Sequence, residues 1–189
     1  MVNVAGLFET PLQDLWMEIG FGAGEHLSHQ ARQYPEIGLI GVEPYVNGVA
    51  ALLATIDAED LGNIRLFDDD IRLLLPRLSD GCLGRLFLLF SDPWPKARHN
   101  RRRVFTAEIL KEFARILRAG AVLRFASDDM SYVRQALDIV QKSPDFCWWP
   151  VGPSEWRERP ADAIETRYEA KARSQGRSPV HLTFIRSGL

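Results

Sequence analysis

The feature that most constrains the fold of this chain is an uncharged apolar run, Leu86 to Phe90, within the stretch Leu83 to Phe90. A run of this length that ends in a turn signal, here Ser91-Asp92-Pro93, is typical of a strand buried on both faces of a parallel sheet. In open α/β sheets, ligands bind at the carboxyl ends of such strands. We therefore expect the carboxylate of Asp92 to lie where a ligand binds.

Short apolar runs alternate with segments of helical periodicity along most of the chain, which predicts βαβ units and a doubly wound α/β sheet. The strands are predicted at 15–19, 39–42, 64–67, 83–90, 122–126 and 181–185, with a further candidate at 146–149. The helices are predicted at 27–34, 46–56, 71–78, 106–117, 132–140 and 165–172. Thr106 is the expected N-cap of the fourth helix and Gly120 its exit. A length of 189 residues without internal repeats favours a single domain over residues 1–189.

Composition narrows the class of protein. The chain is 46% hydrophobic and 25% charged, as is usual for a soluble globular protein. Its two cysteines, Cys82 and Cys147, argue against a disulfide framework and a cysteine-based zinc site, and no metal is expected. Segment 1–6 carries no positive charge ahead of an apolar core, and no apolar run approaches the ~18 residues of a membrane span. We therefore expect a cytoplasmic protein without a membrane partner, either a monomer or a homodimer.

Charge is distributed unevenly along the chain. Residues 1–95 contain 5 Lys and Arg against 14 Asp and Glu, whereas residues 96–189 contain 18 against 11. The net charge of −2 therefore hides a basic half, and five of its cations lie between Lys96 and Arg103. A basic segment directly after a candidate ligand-binding carboxylate favours a polyanionic partner, nucleic acid above all. A charge run that is merely solvated is the alternative.

The loop after the first predicted strand contains three glycines, Gly20, Gly22 and Gly24, preceded by Glu18. Glycines between a strand and a helix permit a tight turn and a close approach of a ligand to the backbone. The spacing differs from the dinucleotide fingerprint GxGxxG, because the third glycine comes one position early. A carboxylate beside the loop disfavours a pyrophosphate and favours a ligand with positive charge, such as the ammonium and sulfonium groups of S-adenosylmethionine.

Two further carboxylates follow the next two predicted strands. Glu43 comes after the second strand, where it can accept hydrogen bonds from both hydroxyls of a ribose. Asp70 comes after the third strand and is expected to contact the adenine end of the same nucleoside. Together with Glu18 and the three glycines, these carboxylates favour S-adenosylmethionine over NAD as the cofactor.

Five sequence blocks carry a resemblance to a known family. They are ExGxGxG at 18–24, GVEPY at 41–45, DPWPKARHNRRR at 92–103, FASDD at 125–129 and ETRYEAKA at 165–172. In this order they resemble the tRNA (guanine-N7)-methyltransferases of the TrmB type, over nearly the whole chain. The resemblance implies a class I S-adenosylmethionine-dependent methyltransferase fold, Rossmann-like, with a seven-stranded, mostly parallel sheet, helices on both faces and an antiparallel last strand. It also implies methyl transfer to N7 of the guanine at position 46 in the tRNA variable loop.

The resemblance implies roles for single residues as well. Positions that line the cofactor site match Glu18, Glu43, Asp70 and Asp92, and Asp92 also lies at the reaction centre. Substrate-holding positions match Lys96, Asp128, Thr166, Arg167, Tyr168 and Glu169. The RNA-contacting segment matches 98–103, whose arginines are Arg98, Arg101, Arg102 and Arg103. Thr166 and Glu169 also have the spacing of a helix capping box, which would account for them without any ligand.

The resemblance implies guanine N7 as the methyl acceptor, and the chemistry of this atom determines which catalytic groups the site needs. Guanine N7 has an in-plane lone pair and loses no proton on methylation, so no general base is needed. His26 and His29, three positions apart on a predicted helix, are accordingly expected on a solvated helix face. Asp92 is expected to accept hydrogen bonds from guanine N1–H and the 2-amino group, and a plain turn residue is the alternative.

The sequence also predicts positions for three of the tryptophans. Trp94 either stacks on the guanine or packs its own loop, since it stands between two prolines. Trp148 and Trp149 are expected in the core rather than as a platform for RNA bases.

Three other functions fit parts of the pattern. A methyltransferase that acts on proteins or small molecules would not need the basic segment after Asp92. A nucleic-acid-binding module without catalysis would not need the carboxylates Glu18, Glu43 and Asp70. An NAD-dependent oxidoreductase is disfavoured by the glycine spacing and by the lack of an evident acid for hydride transfer.

Overall fold

The computed structural model describes residues 4–188, and of Ala97 only the backbone. The sequence segment 1–6 and the predicted domain 1–189 therefore lie partly outside the described residues. The strands are β1 (Asp14–Ile19), β2 (Ile37–Val42), β3 (Ile64–Phe67), β4 (Leu83–Leu89), β5 (Leu117–Ser127), β6 (Phe146–Cys147) and β7 (Val180–Arg186). The α-helices are α1 (Glu25–Gln33), α2 (Val46–Glu59), α3 (Ile71–Leu74), α4 (Ala107–Ile116), α5 (Met130–Gln141), α6 (Ser154–Arg157) and α7 (Arg167–Ser174).

The strands form one sheet in the order β3-β2-β1-β4-β5-β7-β6. Neighbouring strands are parallel, except that β7 runs antiparallel to both β5 and β6. This is the seven-stranded, mostly parallel sheet that the family resemblance implies. β1 lies between β2 and β4, so the strand order reverses at β1. Such a switch point leaves a crevice at the carboxyl ends of the strands, where ligands bind.

β4 is buried on both faces, as its apolar sequence predicts. Leu86 and Leu88 belong to the core beneath α4 and α5, and Phe87 belongs to the core beneath α1 and α2. All three side chains have 0% exposure. Burying a side chain of this size contributes about 1.5–3 kcal/mol. β4 therefore joins the two helical layers, and its end is held firmly in place.

The path from α4 to β5 differs from the expectation. Thr106 caps α4 as predicted, because its Oγ1 accepts a hydrogen bond from Ile109 N–H at 3.3 Å. β5 then starts at Leu117 instead of Val122. Gly120 lies inside β5 with φ +77°, opposite a register shift in β4. A glycine accommodates such a bulge at little steric cost, so an apparent exit signal is an irregularity within a strand.

The helix after Asp70 is shorter than predicted. α3 has four residues and is followed by a 3₁₀ turn at Leu75–Arg77. Pro76 has no N–H to donate, so the α-helical hydrogen-bond pattern cannot continue through it.

The segment between β6 and α7 is tied to the sheet through Asp162. The Asp162 carboxylate accepts hydrogen bonds from Arg85 Nη1 on β4 (3.0 Å) and Arg124 Nη1 on β5 (2.7 Å). Its backbone carbonyl accepts one from Gln30 Nε2 on α1 (2.7 Å). Burial alone would raise the pKa of Asp162, but Arg124 and Arg85 hold this pKa below its ordinary value. These contacts fix the segment that leads into α7.

The expectation that Trp148 and Trp149 lie in the core is wrong for Trp149. Trp149 is 85% exposed, because β6 ends at Cys147 and the chain leaves the sheet. Trp148 is partly buried and packs against Trp156, with the ring centroids 5.8 Å apart.

Residues 4–188 contain neither a candidate membrane span nor a candidate metal cluster. No helix there combines the length and the apolar character needed to cross a membrane. In the same range, no group of three or more His, Cys, Asp or Glu side chains is arranged to hold a metal ion.

Replacing Asp162 with Asn should lower the free energy of unfolding by about 2 kcal/mol at pH 7, since hydrogen bonds to charged groups contribute roughly 1.5–3 kcal/mol. The folded state holds the pKa of Asp162 below its unfolded value. The stability from this carboxylate is therefore complete above the unfolded pKa and is lost as the pH falls through the folded pKa. The difference between wild type and D162N, measured by urea denaturation, should shrink below about pH 4.

The matched control is Asp57→Asn, because Asp57 is exposed on α2. This substitution should change the free energy of unfolding by less than about 0.5 kcal/mol. Equal stability of wild type and D162N at pH 7 would show that Asp162 does not hold the segment.

Candidate active site

A cleft of about 480 Å³ opens at the carboxyl ends of β1, β2 and β4. It lies at the switch point of the sheet, where the topology places a ligand site. Residues singled out from the sequence that line it are Gly20, Gly22, Glu43, Asp70, Asp92, Arg102 and Tyr168. Most of the predicted cofactor residues thus meet in one cavity.

The glycine loop is built from backbone angles that disfavour side chains. Gly20, Gly22 and Gly24 have φ angles of +74°, +61° and +83°. A Cβ on Gly20 would meet no atom within 4 Å, so the backbone there is open to the cleft. A Cβ on Gly22 would lie 2.9 Å from the Tyr168 ring, and one on Gly24 would lie 2.5 Å from Leu52. The first glycine leaves space for a ligand, while the other two leave space for packing.

Glu43 ties the glycine loop to the end of β2. Its Oε2 accepts a hydrogen bond from Gly22 N–H and its Oε1 accepts one from Tyr45 N–H, both at 2.9 Å. Gly48 on α2 packs so closely that a Cβ there would lie 2.2 Å from the Gly22 carbonyl oxygen. Each carboxylate oxygen keeps further acceptor capacity. Glu43 can therefore hold the loop and still accept hydrogen bonds from a ribose.

Asp70 and Arg72 connect the cleft with the basic segment. Asp70 caps α3 by accepting a hydrogen bond from Arg72 N–H (2.9 Å), and it pairs with Arg72 Nη1 (2.8 Å). Arg72 Nη2 also donates to the backbone carbonyl of Arg103 at 3.3 Å. Arg72 also lines the cleft, but it was not predicted from the sequence as a site residue. The only feature of the sequence that could have indicated it is its position two residues after the capping Asp70.

Asp92 stands at the cleft wall without a partner. Its side chain is exposed and makes no hydrogen bond or ion pair with any residue that the structure describes. Phe90 on one side and Trp94 on the other have φ angles of +53° and +42°. For residues other than glycine such angles cost of order 1–3 kcal/mol each. Asp92 therefore lies in a sharply bent segment, with its carboxylate free to bind a ligand.

The basic segment presents four exposed cations next to the cleft: Lys96, Arg98, Arg101 and Arg102. The Arg102 guanidinium lies 4.7 Å from the centroid of the Trp94 ring, and Trp94 meets the edge of His99 at 5.9 Å. Both Trp94 and Arg102 line the cleft. Trp94 thus packs within its own loop and also forms part of the cavity wall.

Arg103 corrects the prediction that all the arginines of this segment are available to RNA. Its side chain is only 1% exposed. Its guanidinium donates to protein acceptors, including the Pro93 carbonyl at 2.6 Å. A side chain buried in this way cannot reach a phosphate without unfolding its surroundings, so Arg103 leaves the set of expected RNA contacts.

Glu18 lies outside the cleft. Side chains alternate along a strand, so Glu18 faces the side opposite Ile19 and lies beneath α1. Its carboxylate is 4% exposed and shares a hydrogen bond of 2.8 Å with His26 Nδ1. The expectation of a solvated His26 is wrong, because this side chain is 2% exposed and packs against Phe87. In this structure the Glu18 carboxylate bonds to His26 and does not line the cleft. A direct contact between Glu18 and the cofactor therefore stays a prediction.

Thr166 and Glu169 form the buried start of α7. Thr166 is the N-cap, as the capping-box spacing predicts, and accepts a hydrogen bond from Glu169 N–H at 3.3 Å. The Glu169 carboxylate accepts hydrogen bonds from Arg159 Nε (3.0 Å) and Arg173 Nη2 (2.9 Å). Thr166, Glu169 and His181 line a chamber of about 20 Å³, separate from the cleft and large enough for about one water. Burial lowers the pKa of His181.

Of the other residues predicted to hold the substrate, Tyr168 lies at the cleft and Asp128 does not. Tyr168 is exposed and lies over Gly22 at the cleft, and the Arg167 guanidinium lies 5.1 Å from its ring centroid. Asp128 is paired with Arg177 and does not line the cleft. The neighbouring Asp129 is the N-cap of α5, where its carboxylate accepts a hydrogen bond from the N–H of Tyr132 at 2.9 Å.

Solved structures with the same fold include several methyltransferases. An rRNA methylase from Streptococcus thermophilus superposes with a TM-score of 0.64 at 11% identity, over 94% of this chain and 89% of that chain. A protein from Streptococcus mutans described as "a putative methyltransferase", solved in complex with SAH, gives a TM-score of 0.63 at 10% identity, over 93% and 90% of the two chains. At these identities the likeness shows the fold, that of class I S-adenosylmethionine-dependent methyltransferases.

Sequence comparison gives the family. The family model described as "Putative methyltransferase" matches residues 13–182. A protein named tRNA (guanine-N(7)-)-methyltransferase from Rhodospirillum rubrum is 56% identical over 181 residues, which are 96% of this chain and 71% of that protein. One of the same name from Roseobacter denitrificans is 50% identical, over 98% of this chain and 78% of that protein. The chain therefore belongs to the tRNA (guanine-N(7)-)-methyltransferase family.

Proposed function

We propose that this chain transfers a methyl group from S-adenosylmethionine to N7 of the guanine at position 46 in the variable loop of tRNA, in the cytoplasm. The observation that carries the proposal is the unpaired carboxylate of Asp92 at the wall of the cleft, between the glycine loop and four exposed cations. The names of the relatives support a guanine N7 of tRNA as the acceptor. The position within the tRNA follows from the family resemblance of the blocks at 92–103 and 165–172.

The residues of the cleft suit S-adenosylmethionine. The cleft volume of about 480 Å³ lies within the ~300–1,000 Å³ that is usual for small-molecule sites. Glu43 would hold the ribose hydroxyls and Asp70 the adenine end, while the open backbone at Gly20 leaves room for the remaining part of the ligand. The carboxylates of this cleft complement a positive sulfonium better than a pyrophosphate. When bound, the cofactor would supply an electrophilic methyl group on sulfur.

The protein then has to align the reacting atoms rather than move a proton. Guanine N7 carries its own lone pair and is methylated without losing a proton, so no residue serves as a base. Holding two reactants in line can lower a barrier by roughly 7–11 kcal/mol. A cleft that binds one reactant, next to a loop that binds the other, provides this alignment.

Asp92 selects and holds the guanine. Its free carboxylate can accept hydrogen bonds from guanine N1–H and the 2-amino group together. Adenine has an acceptor at N1, which would face the carboxylate without a proton between them. Asp92 thus favours guanine through a contact that adenine cannot make, and once bound RNA covers this exposed carboxylate, leaving it unpaired would disfavour adenine.

The exposed cations hold the tRNA backbone. Lys96, Arg98, Arg101 and Arg102 lie in one segment beside the cleft and have no described carboxylate partner. Contacts to phosphates position a nucleic acid without reading its sequence. The division of labour is therefore between these cations, which supply affinity, and Asp92, which supplies base selection.

The direct test is to incubate unmodified tRNA with a labelled methyl donor and to map the modified base. Label should appear at N7 of guanine 46, and a tRNA with adenine at that position should stay unlabelled. Asp92→Asn should lower the turnover by about 100-fold or more, as removal of one essential polar contact in an active site does. Asp68→Asn, an exposed neighbour of Asp70 outside the cleft, is the matched control and should keep wild-type turnover.

Label at another guanine would refute the position, and near-normal turnover of D92N would refute the role of Asp92.

The triple variant R98Q/R101Q/R102Q should bind tRNA more weakly and with a weaker dependence on salt. Removing one cation that binds a phosphate should reduce the slope of log Kd against log salt by about one unit. The slope is measured by filter binding between about 50 and 300 mM salt, a range over which phosphate binding weakens strongly. The control triple R77Q/K111Q/K142Q removes three exposed cations that do not line the cleft. Equal slopes for the two triples would show that the segment is an ordinary solvated surface.

Gly48→Ala should weaken the binding of S-adenosylmethionine by about 10-fold or more. The new Cβ would lie 2.2 Å from the Gly22 carbonyl oxygen, so the glycine loop or α2 has to move. Alanine is favoured over glycine in a helix by about 1 kcal/mol, which offsets only part of the cost of this backbone clash, so the free energy of unfolding of G48A is measured beside the affinity to confirm that the variant is folded. Isothermal titration measures the affinity, and Gly62→Ala, whose Cβ would meet no atom within 4 Å, is the control. An unchanged affinity of G48A would place the cofactor away from this loop.

A further inference from the structure

We propose that Arg103 is a positioning residue, whose buried guanidinium holds the peptide after Pro93 and thereby sets Asp92 at the wall of the cleft. The effect on catalysis rests on the proposed function, whereas the effect on the loop does not. The role differs from RNA binding, which the burial of Arg103 excludes.

The guanidinium joins two separate parts of the chain. Its Nε donates to the Pro93 carbonyl at 2.6 Å, in the residue directly after Asp92. Its Nη1 donates to Gln135 Oε1 at 2.6 Å and its Nη2 donates to Ser131 Oγ at 2.7 Å, both on α5. α5 is packed into the core through Tyr132 and other buried residues. Two of the three bonds therefore hold the guanidinium on a fixed helix, and the third holds the loop that carries Asp92.

The same helix also fixes the chain just after Arg103. Tyr132 Oη accepts a hydrogen bond from Phe105 N–H at 2.9 Å, and Gln135 Nε2 donates to the Phe105 carbonyl at 3.0 Å. The Tyr132 ring lies 4.8 Å from the Arg103 guanidinium. The far end of the basic segment is thus anchored on α5, and Arg103 reaches back to anchor its near end at Pro93.

A buried positive charge needs a reason, because its desolvation is costly. The nearest carboxylate is that of Asp129, 4.0 Å from Nη2. Burial alone would raise the pKa of Asp129, but hydrogen bonds from Ser131 and Tyr132 hold this pKa below its ordinary value, so the group is ionised at neutral pH. An apolar side chain could fill this space without needing a counter-charge. Unlike an apolar side chain, the guanidinium offers several N–H hydrogen-bond donors in a fixed plane.

The loop needs such a restraint because its backbone is strained. Phe90 and Trp94 both have positive φ angles, and residues in such conformations persist only where their surroundings hold them. The Arg103 bond ends on the carbonyl that immediately precedes Trp94. Without this bond the loop can relax, and Asp92 would move with it. A misplacement of about 1 Å can lower turnover by roughly 100-fold.

The experiment compares Arg103→Ala with Arg134→Ala, which removes an exposed arginine from α5. R103A should lower kcat by about 100-fold, as a misplacement of the reacting groups does, while the KM for tRNA and the salt dependence of tRNA binding stay near their wild-type values. Methylguanidinium at millimolar concentration should restore a large part of the kcat, because it can occupy the vacated site. R134A should keep wild-type kcat and should not respond to methylguanidinium.

A second readout follows the loop without any substrate. The protein is labelled with 5-fluorotryptophan, and the ¹⁹F resonance of Trp94 is assigned with the Trp94→Phe variant. This resonance should shift or broaden in R103A and return with methylguanidinium, whereas it should be unchanged in R134A. If the wild-type protein fails to methylate tRNA, the proposed function is wrong, and this readout still tests the position of the loop.

If R103A does not fold, Arg103→Lys replaces it in both measurements. Lysine keeps the charge but cannot reach three acceptors in one plane, so kcat should still fall and the Trp94 resonance should still move. A folded R103A or R103K with wild-type kcat and an unmoved Trp94 resonance would overturn the proposal. A fall in activity that appears only as weaker, less salt-dependent tRNA binding would also overturn it, because Arg103 would then act on RNA.

Discussion

Hydrogen bonding on both edges and burial on both faces fix the carboxyl ends of β1 and β4. β1 pairs with β2 and β4, and β4 pairs with β1 and β5, so neither strand can shift alone. The glycine loop leaves one of these ends and the Asp92 loop leaves the other. Their separation is therefore set by the sheet, before any side chain contributes. Glu43 then fastens the glycine loop to the neighbouring strand end, and α5 fastens the other loop through Arg103.

The arginines of the basic segment show that charge in a sequence does not reveal its use. Arg101, Arg102 and Arg103 are consecutive, yet the first two are exposed and the third is buried. The difference arises at the end of the 3₁₀ turn Ala97–Arg102, after which the chain turns inward toward Phe105. Arg72 connects the cleft with the basic segment, because it contacts both Asp70 and the backbone carbonyl of Arg103. This connection could not be predicted from the sequence.

Much of the fold could be predicted because its signals are local. The apolar run of β4, the glycine loop and the cap at Thr106 each follow from neighbouring residues, and the sheet has the topology that the family resemblance implies. The errors occur where long-range packing decides. From the sequence alone, Gly120 is predicted to end a helix, but it forms an irregularity of β5 beside β4. His26 is predicted on a solvated helix face, but it is buried against Glu18 and Phe87 beneath α1.

The same limit applies to the site. Gly20, Glu43, Asp70 and Asp92 could be placed together because parallel strands end at one edge of the sheet. Which direction a side chain takes within that edge depends on its phase along the strand and on its partners, as the separation of Glu18 from the cleft shows. Asp128 likewise has its arginine partner, Arg177, in a distant part of the chain, which no local pattern reveals.

The two outermost strands of the sheet are both short. β3 has four residues and β6 has two, so each of these two strands offers few free amide and carbonyl groups, and β6 covers only Ile185 and Arg186 of β7. Arg65 on β3 turns its guanidinium onto nearby carbonyls, among them those of Leu7 and Gly62. Long, flat, unpaired borders invite strands from other molecules, and abbreviated or charged borders discourage them. Shortness thus makes β3 and β6 poor templates for edge-to-edge pairing, without any contribution from the catalytic side.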